Sequence, residues 1–197
     1  EKRNNLGASL EAKIELVRKL RSHYSSKQQS EDLKNYLLKL SANEKYLKHS
    51  WWSELMYTLG LFYNEESGPT SKIKALELAE KGLKKYPESL GAQRCKHLIS
   101  TIKAPSLTLE SMKNDLPNKR SLTLRYKNWN KVYFRAYKFD PVERMLANPQ
   151  DYSAVPGHRQ WRDFLSKQPD ASWSQELKPT PDYLEHQLHL TPPLKEN

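Results

Sequence analysis

The chain contains little cysteine and little glycine. Its 197 residues include one cysteine, Cys95, and six glycines. A single cysteine excludes an internal disulfide and a thiolate metal cluster. The shortage of glycine argues against a phosphate-cradling loop, and the sequence has no GxGxxG, Walker A, HExxH or GxSxG signature. We therefore expect a non-catalytic chain that binds no metal and no cofactor.

Long apolar runs are also missing. No run of about 18 apolar residues and no signal peptide is visible, so the sequence predicts no transmembrane helix. The chain begins with Glu1 rather than Met, and it ends in the polar sequence Lys195-Glu196-Asn197. From these ends we expect a segment of a longer protein that has lost any targeting sequence.

Positive charge is in excess, with a formal net charge of +10. Residues 1–104 hold 19 Lys and Arg against 12 Asp and Glu, and residues 105–197 hold 14 against 11. Lysine and glutamate interleave at Glu77, Glu80 and Lys81, which is typical of a solvated helix face with ion pairs three and four residues apart. An anionic partner is the alternative, because net charge supplies sequence-independent affinity. We expect no nucleic acid as partner.

The first half of the chain is predicted to be helical. Apolar residues recur at steps of three and four over 9–25, 30–42 and about 48–65. The helix over 48–65 is apolar on more than one side, so we expect it to be the most buried. A fourth helix runs from Thr70 or Ser71 to Pro87, and a fifth runs from Ser89 to Pro105. The expected N-caps include Ser9, Ser30 and Ser89. The predicted inward residues are Leu10, Ile14, Val17, Leu20, Tyr24, Leu33, Tyr36, Leu37, Leu40, Ile73, Leu76, Ala79, Leu83, Tyr86, Leu90, Cys95 or Leu98, Ile99 and Ile102.

After Pro105 the apolar period changes from 3.6 to 2, which predicts β-strands. Alternation is visible at Leu107 and Leu109, at Leu122, Leu124 and Tyr126, and over Lys131–Phe139, 171–177 and 183–190. Turns are expected at Asp115–Asn118 and Asn128–Asn130. Two helical stretches, Pro141–Ala147 and His158–Lys167, are predicted as an insertion that Trp161, Phe164 and Leu165 hold onto the domain.

The expected architecture is α+β in two domains. A helical domain occupies residues 1–104, and an antiparallel β-sandwich with a helical insertion occupies residues 105–197. A sandwich of this kind needs about seven strands to cover both inner faces. The sequence offers five or six, so we expect the sandwich to be incomplete and to continue after Asn197.

Three sets of residues invite a chemical interpretation. Cys95 lies between Arg94 and Lys96, whose charges could activate its thiol, although a half-buried structural cysteine is favoured. His186 and His189 could share a metal on a helix, but on a strand they face opposite sides. Asp182, Glu185 and His186 could form an acid–base cluster, yet no nucleophile accompanies them. We assign no site residue to catalysis, cofactor binding or metal binding.

Residues 51–87 resemble a tetratricopeptide repeat, which is a pair of antiparallel helices. The repeat's Leu-Gly-x-x-Tyr is matched by Leu59, Gly60 and Tyr63. Its small residues and closing proline, which allow close helix approach and end the second helix, are matched by Ala75, Ala79, Gly82 and Pro87. The connection over 64–71 is about three residues longer than the repeat's turn. The helices over 9–42 are expected to be a diverged neighbour.

The segment Ser121–Phe139, SLTLRYKNWNKVYFRAYKF, resembles the start of the first macroglobulin-like domain in bacterial alpha-2-macroglobulin-family proteins, particularly the large Bacteroidetes-type ones. That domain begins with a strand, a Tyr-Lys/Arg-Asn turn and a Val/Ile-Tyr-Phe/Leu-Arg strand. The similarity extends to Trp173–Leu177, to Pro181–Tyr183 with His186, and to Tyr86–Ser89 with Gly91-Ala92 in the helical half.

This resemblance implies a part of an envelope-anchored protease trap. Such proteins have a bait region that is cleaved, and many have a Cys–Gln thioester that captures the protease. Cys95 is followed by Lys96, His97 and Leu98, so the Cys-x-x-Gln motif is missing, and no bait region can be assigned. The resemblance therefore implies a non-catalytic N-terminal scaffold in the periplasm, outer membrane or cell surface. Its implied partners are other domains of the full-length chain, proteases or envelope proteins, with membrane contact only through a lost N-terminal anchor.

Two alternatives belong to other classes. A tetratricopeptide-type adaptor at the cell envelope would bind a peptide or glycan in a groove lined by Tyr57, Tyr63 and neighbouring helices. An enzyme or a nucleic-acid binder driven by the positive charge is the third hypothesis. Nucleic-acid binding would weaken steeply as the salt concentration rises.

Overall fold

The structure is a computed structural model that describes residues 5–23, 26–111, 121–138, 140–147 and 161–194. It is a mixed helix-and-sheet protein with two compact units. The helical unit comprises Glu1–Pro105 and Thr180–Glu185, and the β unit comprises Ser106–Pro179 and His186–Asn197. The structure confirms the predicted α+β class and the antiparallel pairing of the strands. Residues 180–185, inside the domain predicted at 105–197, group with the helices.

The helical unit follows the predicted sequence of helices with one addition. Its elements are α1 (Leu6–His23), α2 (Lys27–Ser41), α3 (Glu44–Leu47), α4 (Trp51–Glu65), α5 (Ser71–Lys85) and α6 (Leu90–Lys103). The short α3 was not predicted, because four residues are too few to show a helical period. The connection between α4 and α5 contains Gly68 and Pro69, as expected of a chain break.

Two of the predicted helix starts are wrong. The side chain of Asn5 caps α1, so Ser9 lies inside the helix. The side chain of Ser26 caps α2, which places Ser30 in its first turn. The cap at Ser89 is confirmed. The regular apolar stripe of α1 begins only at Leu10, and the first turn of α2 is polar, so neither helix start is marked by the periodicity.

The core of the helical unit surrounds α4, the most buried helix, as predicted. Each fully buried leucine there contributes about 1.5–3 kcal/mol relative to an exposed one. Leu90 and Tyr36 are exposed although the stripe predicted them as inward, and Tyr24 lies outside the described residues. Tyr183 packs on the same core. The buried apolar residues are Leu10, Ile14, Val17, Leu37, Leu40, Tyr46, Trp52, Leu55, Met56, Leu59, Phe62, Ala75, Leu76, Ala79, Cys95, Leu98 and Ile102.

Glycines allow α4 to approach α5 and α6 closely. A Cβ at Gly82 would lie 2.8 Å from Cys95 Sγ and 2.9 Å from Met56 Cβ. A Cβ at Gly91 would lie 2.3 Å from the backbone nitrogen of Glu54. Neither distance is compatible with an unchanged backbone, so both positions require glycine where these helices meet.

The β unit contains two small antiparallel sheets in its described part. The strands are β1 (Ser106–Ser111), β2 (Leu122–Lys127), β3 (Lys131–Ala136), β4 (Ala171–Glu176) and β5 (His186–Leu190). One sheet has the order β1-β2-β5, and the other pairs β3 with β4. The tight connection after β2 is confirmed at Asn128, whose φ of 56° is in the left-handed region that asparagine tolerates. Asp115–Asn118 and Phe139 lie outside the described residues.

The predicted alternation is confirmed in β2, β3, β4 and β5. It is wrong for β1, where Leu107 and Leu109 are both exposed, and for 183–185, which precede β5. Leu124 and Tyr126 of β2 are buried with Leu177, and side chains from β3 and β5 pack against them. One small core therefore takes residues from both sheets. In the second sheet, the rings of Phe134 and Trp173 stack with centroids 4.9 Å apart.

Of the predicted helical insertion, α7 (Pro141–Ala147) and α8 (Trp161–Ser166) are described. The rings of Phe164 and Tyr137 make a T-shaped contact with centroids 6.0 Å apart. This is the kind of contact predicted between the insertion and the rest of its domain. Trp161 and Leu165 are exposed, so the prediction that they hold the insertion onto the domain is wrong. About half or more of each side chain is exposed to solvent, because a helix of six residues can bury only one of its sides.

We predict that Gly91→Ala destabilises the helical unit, because its Cβ would force α6 away from the backbone of α4. Overpacking of this kind costs about 1–3 kcal/mol, which exceeds the roughly 1 kcal/mol that alanine gains over glycine in a helix. Urea unfolding followed by circular dichroism at 222 nm measures the change. Gly68→Ala is the control, because its Cβ would meet the movable Oγ of Ser71. Equal stability of the two variants would contradict the close approach.

Candidate functional site

A carboxylate is buried on the most apolar helix of the chain. The side chain of Glu54 in α4 is 2% exposed, and its Oε1 accepts hydrogen bonds from both Arg18 of α1 and Arg94 of α6. Its Oε2 has no hydrogen-bond partner among the described residues. A buried carboxylate without a cation would cost several kcal/mol. The two arginines therefore keep Glu54 in place, and Glu54 links α1 to α6.

The guanidinium of Arg18 stays charged in this cluster. Its burial lowers its pKa, but hydrogen bonds and charges from Glu54 and Glu15 outweigh burial, so the pKa of Arg18 is raised. Arg18 also donates to Thr58 Oγ1 at 3.1 Å. Arg18 therefore contributes a fixed positive charge to the cluster.

A groove lies along α4 between its two flanking helices. Both α1 and α6 pack on α4, but they do not pack on each other. The face of α4 between them carries Trp51, Glu54, Tyr57 and Leu61 at steps of three and four residues, which places them in one row. We call this face, together with its flanks on α1 and α6, the α4 groove.

One end of the α4 groove is a cavity rich in arginine. It encloses about 530 Å³ and is lined by Arg18, Arg21, Ser22, Tyr57, Leu61 and Arg94. The guanidinium of Arg21 lies 4.2 Å from the centroid of the Phe62 ring and pairs with Glu65, whose side chain is 62% exposed. An ion pair with so exposed a partner contributes little to stability. We call this the arginine cavity.

A second cavity, formed by the start of α4, the end of α5 and the start of α6, is apolar. It encloses about 570 Å³ and has walls formed by Trp51, Tyr86, Pro87 and Leu90, with Glu54 and Gly91 also in its lining. The hydroxyl of Tyr86 donates to the Leu47 carbonyl at 2.8 Å, which fixes the ring. Leu90 is 57% exposed. An apolar side chain at such a position is available to a partner, and we call this the apolar cavity.

The two tyrosines predicted to line a groove are separated. Tyr57 lines the arginine cavity, as the adaptor hypothesis requires. Tyr63 instead lies under two lysines, with Lys34 Nζ 4.9 Å and Lys74 Nζ 5.7 Å from its ring centroid. The prediction therefore located one of the two groove tyrosines.

Cys95 is packed inside the helical unit rather than activated by its cationic neighbours. Its side chain is fully buried, and its Sγ lies 3.5 Å from the Ser53 carbonyl oxygen. Burial, followed by the charge of Glu54, raises the pKa of the Cys95 thiol to about 12. The thiol is therefore protonated at neutral pH, and the structural interpretation of Cys95 is the one that the structure supports.

The two histidines considered for metal binding do not share a face of their strand. His186 is half-buried and His189 is exposed on opposite faces of β5, as predicted for a strand. Asp182 and Glu185 belong to the helical unit, whereas His186 belongs to the β unit. In the described ranges, no group of three His, Cys, Asp or Glu side chains could hold a metal. Within the same ranges, no helix has the length and apolarity needed to cross a membrane.

The arginines of the arginine cavity were not predicted as a site from the sequence. Arg18 and Arg21 look there like ordinary members of a cationic helix surface, and Arg94 was considered only as a neighbour of Cys95. The available signal was Glu54, a carboxylate inside the apolar stretch WWSELMYTLG. Such a residue in a helix expected to be buried implies a cationic partner from elsewhere in the chain.

We predict that Glu54→Gln lowers the free energy of unfolding by about 1–3 kcal/mol, because two arginines lose their shared anion. The loss is smaller than for a completely buried pair, since Arg18 and Arg94 are 26% and 41% exposed. Urea unfolding of Glu54→Gln and of the control variant Glu65→Gln measures this loss. Glu65→Gln, which removes an exposed partner of Arg21, is expected to change stability by less than about 0.5 kcal/mol. Equal stability of the Glu54→Gln and Glu65→Gln variants would show that the bridge contributes nothing to the free energy of unfolding.

In comparisons with known proteins, no protein-family model, no curated protein and no solved structure matches this chain. The geometry of the α4 groove therefore carries the functional argument.

Proposed function

We propose that this chain is a non-catalytic interaction segment whose helical unit binds an extended peptide in the α4 groove. The single observation that carries the proposal is a pair of cavities beside α4, namely the arginine cavity formed with α1 and α6 and the apolar cavity formed with the end of α5 and the start of α6. Interfaces gain most of their affinity from buried aromatic side chains and arginines. Trp51, Tyr57 and Arg94 supply this combination.

The wider proposal is the scaffold of a large envelope protein of the alpha-2-macroglobulin family, implicated in protease trapping. The resemblance of Ser121–Phe139 to a macroglobulin-like domain supports it, as do the antiparallel strands and the core shared by two sheets. The tetratricopeptide-like part of the proposal is supported by the mutual packing of α4, α5 and α6. Gly60 and Gly82 lie at these helix contacts, as the repeat requires.

A periplasmic or cell-surface location belongs to this proposal, since the location follows from the family. So do its proposed partners, which are other domains of the same full-length chain, proteases or envelope proteins. The described strands of the β unit agree with an incomplete sandwich. β1 pairs with β2 alone, and β3 and β4 pair with each other, among the residues that the structure describes. Further strands from the same chain would extend these sheets.

A tetratricopeptide-type adaptor is the second candidate, because the α4 groove serves it equally well. It would bind a peptide or a glycan without further domains. The two candidates differ in the coding sequence that follows residue 197. The scaffold predicts that the reading frame continues into more antiparallel β domains, and sequencing a transcript tests this. A stop codon directly after that position would contradict the scaffold and leave the adaptor.

We predict that a random peptide library displayed on phage yields sequences that bind this chain in the α4 groove. Ser22→Trp fills the arginine cavity from an exposed position on α1, so it is expected to weaken the selected peptides at least tenfold in fluorescence anisotropy. Leu16→Trp is the matched control, because Leu16 is exposed on the same helix and lines neither cavity. Peptides that bind Ser22→Trp as tightly as the parent chain, or a library without binders, would overturn the proposed function.

A further inference from the structure

The lining of the apolar cavity includes a carboxylate with an unused acceptor. Glu54 lines this cavity, and its buried Oε2 accepts no hydrogen bond from the described residues. Its other oxygen, Oε1, is bound by Arg18 and Arg94, which line the arginine cavity and are not in the lining of this one. Oε2 is therefore the carboxylate oxygen that remains for a ligand in the apolar cavity. A buried acceptor without a donor is costly, so a ligand that brings a donor is favoured.

This donor is better neutral than charged. Glu54 already pairs with two guanidinium groups, and a third cation on the same carboxylate would be repelled by both. The exposed Lys85 and Glu88 add one charge of each sign to the lining, so they create no preference for an ion. A neutral N–H group completes the hydrogen bonding of the carboxylate and does not add to the repulsion.

The walls of the apolar cavity favour an aromatic ring. The volume of about 570 Å³ is within the range of about 300–1,000 Å³ that is common for ligand sites. Trp51 and Tyr86 supply two rings, and the hydroxyl of Tyr86 is fixed by its hydrogen bond to the Leu47 carbonyl. Aromatic pairs stabilise a complex beyond the burial of their apolar surface. The ligand group is therefore an aromatic ring that carries an N–H donor.

We infer that the apolar cavity binds the indole ring of a tryptophan in a partner peptide, with the indole N–H donating to Glu54 Oε2. This inference rests on the proposed function and specifies the residue that anchors the peptide. Tryptophan joins a large apolar ring to one neutral donor that accepts no hydrogen bond. Leu90 is 57% exposed, so this wall of the cavity is free to move as the ring enters and to pack on it afterwards.

The first test compares tryptophan with a ring of the same shape that lacks the N–H. The probes are the capped peptides Gly-Gly-Trp-Gly-Gly and its analogue with 3-benzothienylalanine, in which sulfur replaces the N–H. Each is titrated into the full chain, labelled with ¹⁵N, and followed by NMR. We expect the tryptophan peptide to shift the amide resonances of Leu90 and Gly91. The analogue should bind at least tenfold more weakly, because it offers the carboxylate no donor.

The second test observes the hydrogen bond itself. A peptide labelled with ¹⁵N at the indole nitrogen reports on this one N–H. On binding, we expect its proton resonance to move downfield and its exchange with water to slow at least tenfold, since a hydrogen bond to a carboxylate is short and strong. An indole N–H that exchanges as fast in the complex as in the free peptide would contradict the contact with Glu54.

Matched protein variants assign the site. Leu90→Ser removes an exposed apolar wall of the cavity and should weaken the tryptophan peptide at least fivefold. Leu16→Ser is the control, because Leu16 is 53% exposed and lines neither cavity, and it should leave affinity within twofold. Lys85→Gln should also stay within twofold. A fivefold loss in Lys85→Gln would indicate an anionic ligand and overturn the inference. Circular dichroism verifies that all three variants fold.

Failure of this inference is distinguishable from failure of the proposed function. If library peptides bind in the α4 groove without a tryptophan that depends on Leu90, the indole site is wrong and the proposed function stands. If the benzothienylalanine peptide binds as tightly as the tryptophan peptide, or a matched lysine peptide binds more tightly, the N–H contact is overturned. If neither the library nor the tryptophan peptide yields binding, the proposed function itself fails.

Discussion

The bridge from Arg18 through Glu54 to Arg94 links α1 and α6 to the most buried helix, α4. A carboxylate that is 2% exposed must have cations beside it, and these come from α1 and α6 on opposite sides of α4. Apolar residues of similar volume at such sites are often as stable or more stable than a buried ion cluster. The ionic bridge is thus better explained by the position it imposes on α1 and α6 than by stability alone. The same interaction places two guanidiniums in the lining of the arginine cavity, where Arg18 also pairs with Glu15.

Much of the fold could be predicted because burial in helices and strands is periodic. The apolar stripe of Leu10, Ile14 and Val17 identified the inner face of α1, and all three are buried. The alternation through Leu124 and Tyr126 identified β2 in the same way. Helix starts at Asn5 and Ser26 could not be found by this criterion, since the apolar stripes of α1 and α2 begin only after their first turns. Several polar residues near each start are equally good caps in isolation, and the backbone geometry decides among them.

The candidate site could not be predicted from local patterns. Arg18 and Arg94 are far apart in the chain, and each looks like one more member of the interleaved lysine and arginine surface. They meet only because α1 and α6 flank the same helix. Most of the other surface cations do remain solvated, for example Lys81 and Lys84 on the outer side of α5.

The two units differ in how much apolar surface their described parts bury, and this difference bears on the proposed scaffold. The helical unit has a continuous core around α4, whereas the described core of the β unit is centred on Leu124, Tyr126 and Leu177. A small core gains little free energy against the entropy lost when strands are ordered. Sheets of this kind become stable when additional strands or neighbouring domains cover them. A row of further domains on the same chain would supply such cover, and the helical unit, whose core is larger, would then be free to present the α4 groove to a partner.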